Sequence, residues 1–488
     1  MILNRSELEE LLQTRLPPGV EGISGVTHDS RAAGPGDAFV AVSGFKRDGA
    51  EFAPEAVRRG AVLVVAEREL TGLPVVVVRD AREALARLAA AVCGHPSHRI
   101  PVYGITGTNG KTTTSYALHA VFSGAGPCGL LSTAEIIVGR ERRPALRTTP
   151  EAPEVQSALD GMLRAGMERV VMEVSSHGVE LKRVAHTRFA GALFTNLSRD
   201  HLDLHPTMEH YYRAKRRLLE WAEGPKLSNA DDEWGLRLAG EVEGVLTFGR
   251  TPRADYRIEG VEDGGAGMRF RLRHPEGVLE LESPLLGDYN VSNVAGAAAL
   301  ALAAGIPEET VVRAVREMPQ IPGRFERIGC GQDFEVVVDY AHTDVGLAAV
   351  LEVARALAGR SGGRVICVFG AAGERDKAKR PKMGAVSTRL ADWSVVTTDD
   401  AYSEDPGEIA RQVAAGAAPG RYEVILDRLE AIRRALRLAR RGDVVVVAGK
   451  GHERVQHLPE GDVPFHDASA IRALLRQDGE VEVARRSG

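Results

Sequence analysis

Cysteine is scarce in this chain, with four residues in 488, and Cys93, Cys128, Cys330 and Cys367 lie far apart. Their spacing offers no C-x-x-C pair for zinc or dithiol exchange, so the thiols read as buried and unpaired. Charge of one sign is lacking as well: 62 basic against 67 acidic side chains leave a net −5. That balance excludes a global pull toward nucleic acid. Long apolar runs are missing too, since no stretch approaches the ~20 residues that span a bilayer. The opening MILNRSELEELLQ has no signal-peptide core. Together these absences predict a cytoplasmic protein with no membrane insertion and no nucleic-acid partner.

What is present is a length that exceeds one hydrophobic core. Short β-branched runs at 61–66 and 74–78, followed by a helical Leu/Ala pattern at 82–93, predict a small α/β domain over 1–98. His95-Pro96-Ser97-His98 interrupts the pattern. From residue 99, apolar strands alternate with helical stretches, which predicts a mostly parallel sheet covered by helices. The alternating pieces within 256–282 read as an antiparallel excursion. Pro319-Gln320-Ile321-Pro322-Gly323 punctuates the chain again, and a second strand-then-helix rhythm runs from 322 to 488. The fold class expected is α/β with three domains, 1–98, 99–321 and 322–488.

The strongest local pattern is Gly104-Ile105-Thr106-Gly107-Thr108-Asn109-Gly110-Lys111-Thr112-Thr113, after a strand and before a helix. Glycines let backbone N–H groups turn toward phosphate oxygens, Lys111 offsets β/γ charge, and the Thr112 hydroxyl reaches Mg²⁺. The spacing departs from G-x-x-x-x-G-K-[ST] because Ile105 occupies the first glycine position. ATP binding is the expected chemistry. Glu173, ending a buried strand in Met172-Glu173-Val174-Ser175-Ser176-His177, suits a hard cation. His201, in Thr195-Asn196-Leu197-Ser198-Arg199-Asp200-His201, follows a third strand and is expected to serve the metal or the γ-phosphate.

The combination resembles the Mur ligase family, specifically its UDP-N-acetylmuramoyl-tripeptide synthetases, along nearly the whole chain. The motifs carrying the resemblance are Thr27-His28-Asp29-Ser30-Arg31, Gly107-Thr108-Asn109-Gly110-Lys111-Thr112, Glu173-Val174-Ser175-Ser176-His177-Gly178, Asn196-Leu197-Ser198-Arg199-Asp200-His201 and Gly449-Lys450-Gly451-His452-Glu453. The resemblance implies an N-terminal UDP-binding domain, a central ATPase domain of P-loop type and a C-terminal Rossmann-like domain. It implies that Ser30, Phe45, Lys46 and Arg47 meet the UDP part of the substrate, and that Thr148, Thr149, Ser175 and Arg183 meet its muramoyl dipeptide. ATP would be held by Thr108, Asn109, Gly110, Lys111, Thr112 and Thr113, with Asn290, Asn293, Arg324, Asp339 and His342. Lys111, Glu173, His201 and Lys215 would be catalytic. Mg²⁺ would rest on Thr112, Glu173, His201 and Lys215, the last as a carbamate formed with carbon dioxide.

The implied reaction joins a diamino acid to UDP-N-acetylmuramoyl-L-alanyl-D-glutamate through an acyl phosphate. Arg375, Asp399, Asp400, Ala401, Tyr402, Gly449 and Glu453 would hold the amino acid. Diaminopimelate-adding members show Asp-Asn-Pro-Arg where this chain has Asp399-Asp400-Ala401-Tyr402. Losing the arginine leaves a distal carboxylate without its charge-assisted partner, at about 1–3 kcal/mol. The sequence therefore favours L-ornithine or L-lysine, with meso-2,6-diaminopimelate as the alternative and another Mur or folylpolyglutamate-type ligase behind both. A noncatalytic nucleotide-binding protein would have lost Lys111, Glu173, His201 or Lys215, and all four are present.

Overall fold

The computed structural model describes residues 2–44, 47–200 and 204–486, with side chains through 477. Its contacts divide the chain into two compact units, 1–264 with 269–283 and 289–318, and 265–268 with 284–288 and 319–488. The expected segments 1–98 and 99–321 thus fall largely in one unit.

The first unit opens with a small antiparallel pair, β1 (Leu3–Asn4) and β2 (Gly22–Ile23). Strands β3 (Gly25–Thr27), β4 (Asp37–Val40), β5 (Leu63–Ala66) and β6 (Val75–Val77) then form a parallel sheet in chain order. Because successive side chains point to opposite faces, Val40 and Val65 enter one core with Leu8 and Leu88, while Phe39 and Val64 enter another with Ala53. Burial on both faces is what a parallel sheet requires.

The larger sheet holds eleven strands: β7 (Val102–Thr106), β8 (Cys128–Leu131), β9 (Glu135–Val138), β10 (Glu141–Pro144), β11 (Arg169–Glu173), β12 (Phe189–Phe194), β13 (Lys226–Asn229), β14 (Val245–Gly249), β15 (Tyr256–Asp263), β16 (Met268–His274) and β17 (Gly277–Ser283). Their order is β10-β9-β8-β11-β7-β12-β13-β14-β15-β16-β17. Every pairing from β8 through β15 is parallel. The direction of strand succession reverses around β7, where β11 lies on one side and β12 on the other. A reversal of this kind opens a crevice at the carboxyl ends of the flanking strands. In β16, Met268, Phe270, Leu272 and His274 are buried and the three arginines between them exposed, as period-2 alternation predicts.

The second unit carries β18 (Glu326–Arg327), β19 (Glu335–Asp339), β20 (Val365–Phe369), β21 (Trp393–Val396), β22 (Tyr422–Val424) and β23 (Val444–Ala448), ordered β18-β19-β23-β20-β21-β22. All pairings except β18 with β19 are parallel. The hairpin β24 (Val455–Leu458) and β25 (Gly461–Pro464) follows. Beneath this sheet Arg428 and Asp467, both with fully buried side chains, form a bidentate pair at 2.8 and 2.7 Å. Asp467→Asn leaves the guanidinium without its counter-charge, an expected loss of about 3–5 kcal/mol. Denaturant unfolding of the full chain measures that loss. An effect under about 1 kcal/mol, the size expected of an exposed pair, would refute it.

Candidate functional site

The site is built from the ends of β7, β11 and β12. Strand β7 ends at Thr106, and the helix Lys111–Ala125 begins after a four-residue loop. Gly107 and Gly110 have φ of +146° and +84°, so both sit in the backbone region that favours glycine. Space enforces the same choice. A Cβ on Gly107 would lie 1.9 Å from Thr195 Oγ1, and one on Gly110 would lie 2.1 Å from Asn293 Oδ1. The loop is fixed to the segment after β12: Thr108 N donates to Asn196 O at 2.8 Å, Asn109 N to Asn196 Oδ1 at 3.0 Å, and Thr195 Oγ1 to Asn109 O at 2.6 Å. Behind it, Asn293 Nδ2 donates to Asn290 Oδ1 at 3.1 Å. No side chain caps the start of the helix. Its first-turn N–H groups therefore suit an anion, here the phosphates of a nucleotide.

Two lysines converge on one carbonyl of this loop. Lys111 Nζ donates to Gly107 O at 3.0 Å and Thr108 O at 2.9 Å, and Lys215 Nζ donates to Gly107 O at 2.6 Å. Lys215, on the helix Met208–Trp221, is 1% exposed and lies 4.6 Å from the Tyr211 ring centroid. Burial, with the positive charge of Lys111 nearby, drives its amine well below the ordinary 10.5, against an opposing pull from Asp200. Lowering the pKa favours the uncharged amine, the form that can act as a nucleophile.

Glu173 ends β11 with 0% exposure. It accepts from Thr133 N at 2.9 Å, Thr133 Oγ1 at 2.8 Å and Thr112 Oγ1 at 3.2 Å, all neutral donors. A buried carboxylate among neutral hydroxyls is the chemistry that a hard divalent cation completes, so these residues fit Mg²⁺. Among the described residues, no group of three or more His, Cys, Asp or Glu side chains is arranged to hold a metal. A cation here would depend on Glu173, Thr112, Lys215 and the substrate's own oxygens. His201, Phe45 and Lys46 lie outside the described residues.

The residues expected on the muramoyl dipeptide surround the same edge. Thr149 Oγ1 donates to Glu173 O at 3.0 Å and accepts from Ser175 N at 3.0 Å, and the Thr148 and Thr133 hydroxyl oxygens lie 3.1 Å apart. Arg183 donates to Thr149 O at 3.1 Å and pairs with Glu151 at 2.7 Å. Ser30 Oγ donates to Glu55 at 3.1 Å, and Arg47 lies over the Phe52 ring. Thr133, absent from the sequence-derived set, turns out to be the main support of Glu173. Nothing in the sequence marks it, because the link crosses 40 residues.

In the second unit, Arg324, Asp339 and His342 cluster near the end of β19. Asp339 Oδ2 accepts from Phe325 N at 2.7 Å, Arg324 lies over the Tyr340 ring, and His342 Nδ1 meets Tyr340 O at 2.9 Å. The amino-acid set gathers at the ends of β20, β21 and β23. Lys450, also missing from the sequence-derived set, is fully buried and joins Asp400 at 2.7 Å to Glu453 at 2.9 Å. Asp400 Oδ1 also accepts from His457 N at 3.0 Å, and Asp399 Oδ1 accepts from Asp400 N at 2.8 Å. Asp400 therefore does not present a bare carboxylate to an incoming ammonium. Tyr402 stacks on His457 with ring centroids 5.2 Å apart, and the exposed Arg375 guanidinium lies 5.8 Å from the Tyr402 ring. Arg380 and Lys377 are both turned onto Glu404, at 2.9 and 3.2 Å.

Three family profiles match the chain: "Mur ligase family, catalytic domain" over 22–92, "Mur ligase middle domain" over 105–301 and "Mur ligase, glutamate ligase domain" over 323–451. A protein of Syntrophomonas wolfei named UDP-N-acetylmuramoyl-L-alanyl-D-glutamate–2,6-diaminopimelate ligase is 41% identical over 467 residues, covering 93% of this chain and 95% of its own. One of the same name from Solibacter usitatus is 42% identical over 489 residues, covering 98% and 97%. A solved structure with that name superposes with a TM-score of 0.67 at 30% identity, covering 98% of this chain and all of the other. Among the described residues no helix is long and apolar enough to cross a membrane.

Proposed function

Because the chain belongs to the Mur ligase family and is an ATP-dependent, amide-bond-forming ligase, we propose that it adds meso-2,6-diaminopimelate to UDP-N-acetylmuramoyl-L-alanyl-D-glutamate in the cytoplasm, a step of peptidoglycan precursor synthesis. The observation that carries the ligase chemistry is the meeting of Lys111 and Lys215 on Gly107 O, with Glu173 tied to the same helix through Thr112. The names and near-complete coverage of the relatives support diaminopimelate over the ornithine or lysine that the sequence favours.

In this reading segment 1–98 holds the UDP moiety through Ser30, Phe45, Lys46 and Arg47. Segment 99–321 binds ATP and the muramoyl dipeptide, and 322–488 delivers the amino acid. The terminal carboxylate of the dipeptide attacks the γ-phosphorus, giving an acyl phosphate and ADP. The free amine then attacks the acyl carbon, and phosphate leaves from the tetrahedral intermediate. Lys111 turns from Gly107 O and Thr108 O onto the γ-phosphate and offsets the charge that accumulates there. Asn290 and Asn293 keep the Gly110 turn closed against the helix, and Arg324, Asp339 and His342 are the further nucleotide residues that the family resemblance implies. Glu173, Thr112, His201 and a Lys215 carbamate would hold Mg²⁺, which would supply Lewis-acid stabilisation of the phosphate oxygens. Thr148, Thr149, Ser175 and Arg183 orient the dipeptide carboxylate. Arg375 takes a carboxylate of the diamino acid, and Asp399, Asp400, Ala401, Tyr402, Gly449 and Glu453 shape its pocket.

A second reading, L-ornithine or L-lysine, is favoured by one observation: Tyr402 stands where an arginine would meet a distal carboxylate. Offering all three diamino acids in parallel with ATP and the UDP-dipeptide separates the readings. Product from diaminopimelate is expected, preference for ornithine or lysine selects the second reading, and no turnover with any overturns the assignment of this step. Tyr402→Arg is expected to raise kcat/KM for diaminopimelate about tenfold or more, the worth of one charge-assisted pair.

A further inference from the structure

We infer that Arg380, acting through Glu404, is a positioning residue that sets the diamino-acid pocket by riveting the loop after β20 to the loop after β21. The inference rests on the amino-acid site proposed above and deepens it. Arg380 contacts no expected substrate group. Its side chain is fully buried, and four donor contacts leave it. Nη1 reaches Glu404 Oε2 at 2.9 Å and Gln412 Oε1 at 2.7 Å, and Nη2 reaches Glu404 Oε1 at 3.1 Å and Ala372 O at 3.1 Å. Ala372 belongs to the first loop and Glu404 to the second, so one planar cation spans both. Lysine, with a single nitrogen, cannot reproduce that geometry.

Glu404 completes the link in the reverse direction. Its Oε1 accepts from Glu374 N at 2.6 Å, its Oε2 lies 3.2 Å from Lys377 Nζ, and Ser403 Oγ donates to Glu374 Oε1 at 2.7 Å. The Arg380 guanidinium holds the Glu404 carboxyl down at about 2, so the pair is ionised wherever the enzyme works.

The loops joined this way carry two strained residues. Glu374 and Tyr402, neither of them glycine, have φ of +53° and +51°. Such backbone persists only where its surroundings hold it. Glu374 directly precedes Arg375, and its left-handed turn aims the Arg375 guanidinium at the Tyr402 ring. Tyr402 in turn donates its N–H to His457 O at 3.0 Å and stacks on that ring. Releasing Glu404 frees the N–H of Glu374, and the turn that aims Arg375 loses its anchor.

The test is Glu404→Gln in the full chain, with KM measured separately for ATP, the UDP-dipeptide and the diamino acid that the wild type uses. The KM for the diamino acid is expected to rise about tenfold, the equivalent of one lost positioning bond, while the other two stay within about twofold. Arg380→Lys should behave the same way, and Glu404→Asp should recover part of the loss. A fall in kcat alone, a parallel rise in all three KM values with a lower melting temperature, or no change would each overturn the inference. A crystal structure of Glu404→Gln decides independently of turnover: relaxation of Glu374 or Tyr402 from the left-handed region supports it, and retention of both refutes it. If the wild type turns over no diamino acid, the proposed reaction fails while this structural comparison still gives its answer.

Discussion

Lys215→Met is expected to melt at a higher temperature than the wild type in carbon-dioxide-depleted buffer at neutral pH, and to lose turnover by about 10³-fold. The stability gain follows from the site. Lys215 is fully buried, its Nζ bonded to Gly107 O and set beside the Tyr211 ring, with Lys111 adding repulsion. Methionine keeps length and bulk without an amine to desolvate. The sign of the pH dependence is fixed by the downward shift. Between the depressed folded value and the ordinary 10.5 the unfolded chain binds the proton that the folded chain has released, so wild-type stability rises with pH across that window. The advantage of Lys215→Met should therefore be largest at the acidic end and shrink as pH climbs toward 10.5. A variant that melts lower, with a difference flat in pH, would make Lys215 a structural cation. Loss of turnover follows if the Lys215 amine adds to carbon dioxide, releases a proton and becomes an anionic carbamate that would serve as an oxygen ligand. Wild-type activity should then rise with added bicarbonate, and the variant should not respond.

The contrast between the two lysines shows which parts of the site were legible in the sequence. Lys111 stands in a motif whose glycines have a physical reason, the close approaches to Thr195 and Asn293. Lys215 sits in Tyr212-Arg213-Ala214-Lys215-Arg216-Arg217, where its neighbours Arg213, Arg216 and Arg217 are in salt bridges on the helix exterior. Read from composition alone it is one more exterior cation; only the family resemblance singled it out, and only packing shows why it is buried. The strand-then-helix rhythm was equally legible, because β-branched runs such as Val444–Ala448 are buried on both faces of a parallel sheet. The supports were not legible. Thr133 reaches Glu173 across 40 residues, Lys450 reaches Asp400 across 50, and Arg380 reaches Glu404 across 24. Contacts at such separations leave no local period or spacing to read. The pairing of Lys450 with Asp400 also changes the substrate argument: charges counted along the sequence as open to a ligand are in part neutralised inside the fold.

Glu173→Gln tests the metal reading most directly. Glutamine preserves the volume and one carbonyl acceptor, which placed at the Oε1 position keeps the bond from Thr133 N at the end of β11. It brings an NH₂ group against the Thr133 and Thr112 hydroxyls, which can rotate to accept. Folding should therefore survive, with a melting temperature near or above that of the wild type, because a buried carboxylate bonded only to neutral donors carries an uncompensated charge until a cation arrives. Turnover should fall by about 10³-fold, the scale of losing a hard anionic ligand at the reacting phosphate. The Mg²⁺ titration separates this from a packing defect. Wild-type melting temperature should rise with Mg²⁺ in the presence of a nonhydrolysable ATP analogue, and the increment should collapse in Glu173→Gln while stabilisation by the analogue alone persists. An undiminished Mg²⁺ increment in the variant would remove Glu173 from the metal site and leave it as the hydrogen-bonded terminus of β11.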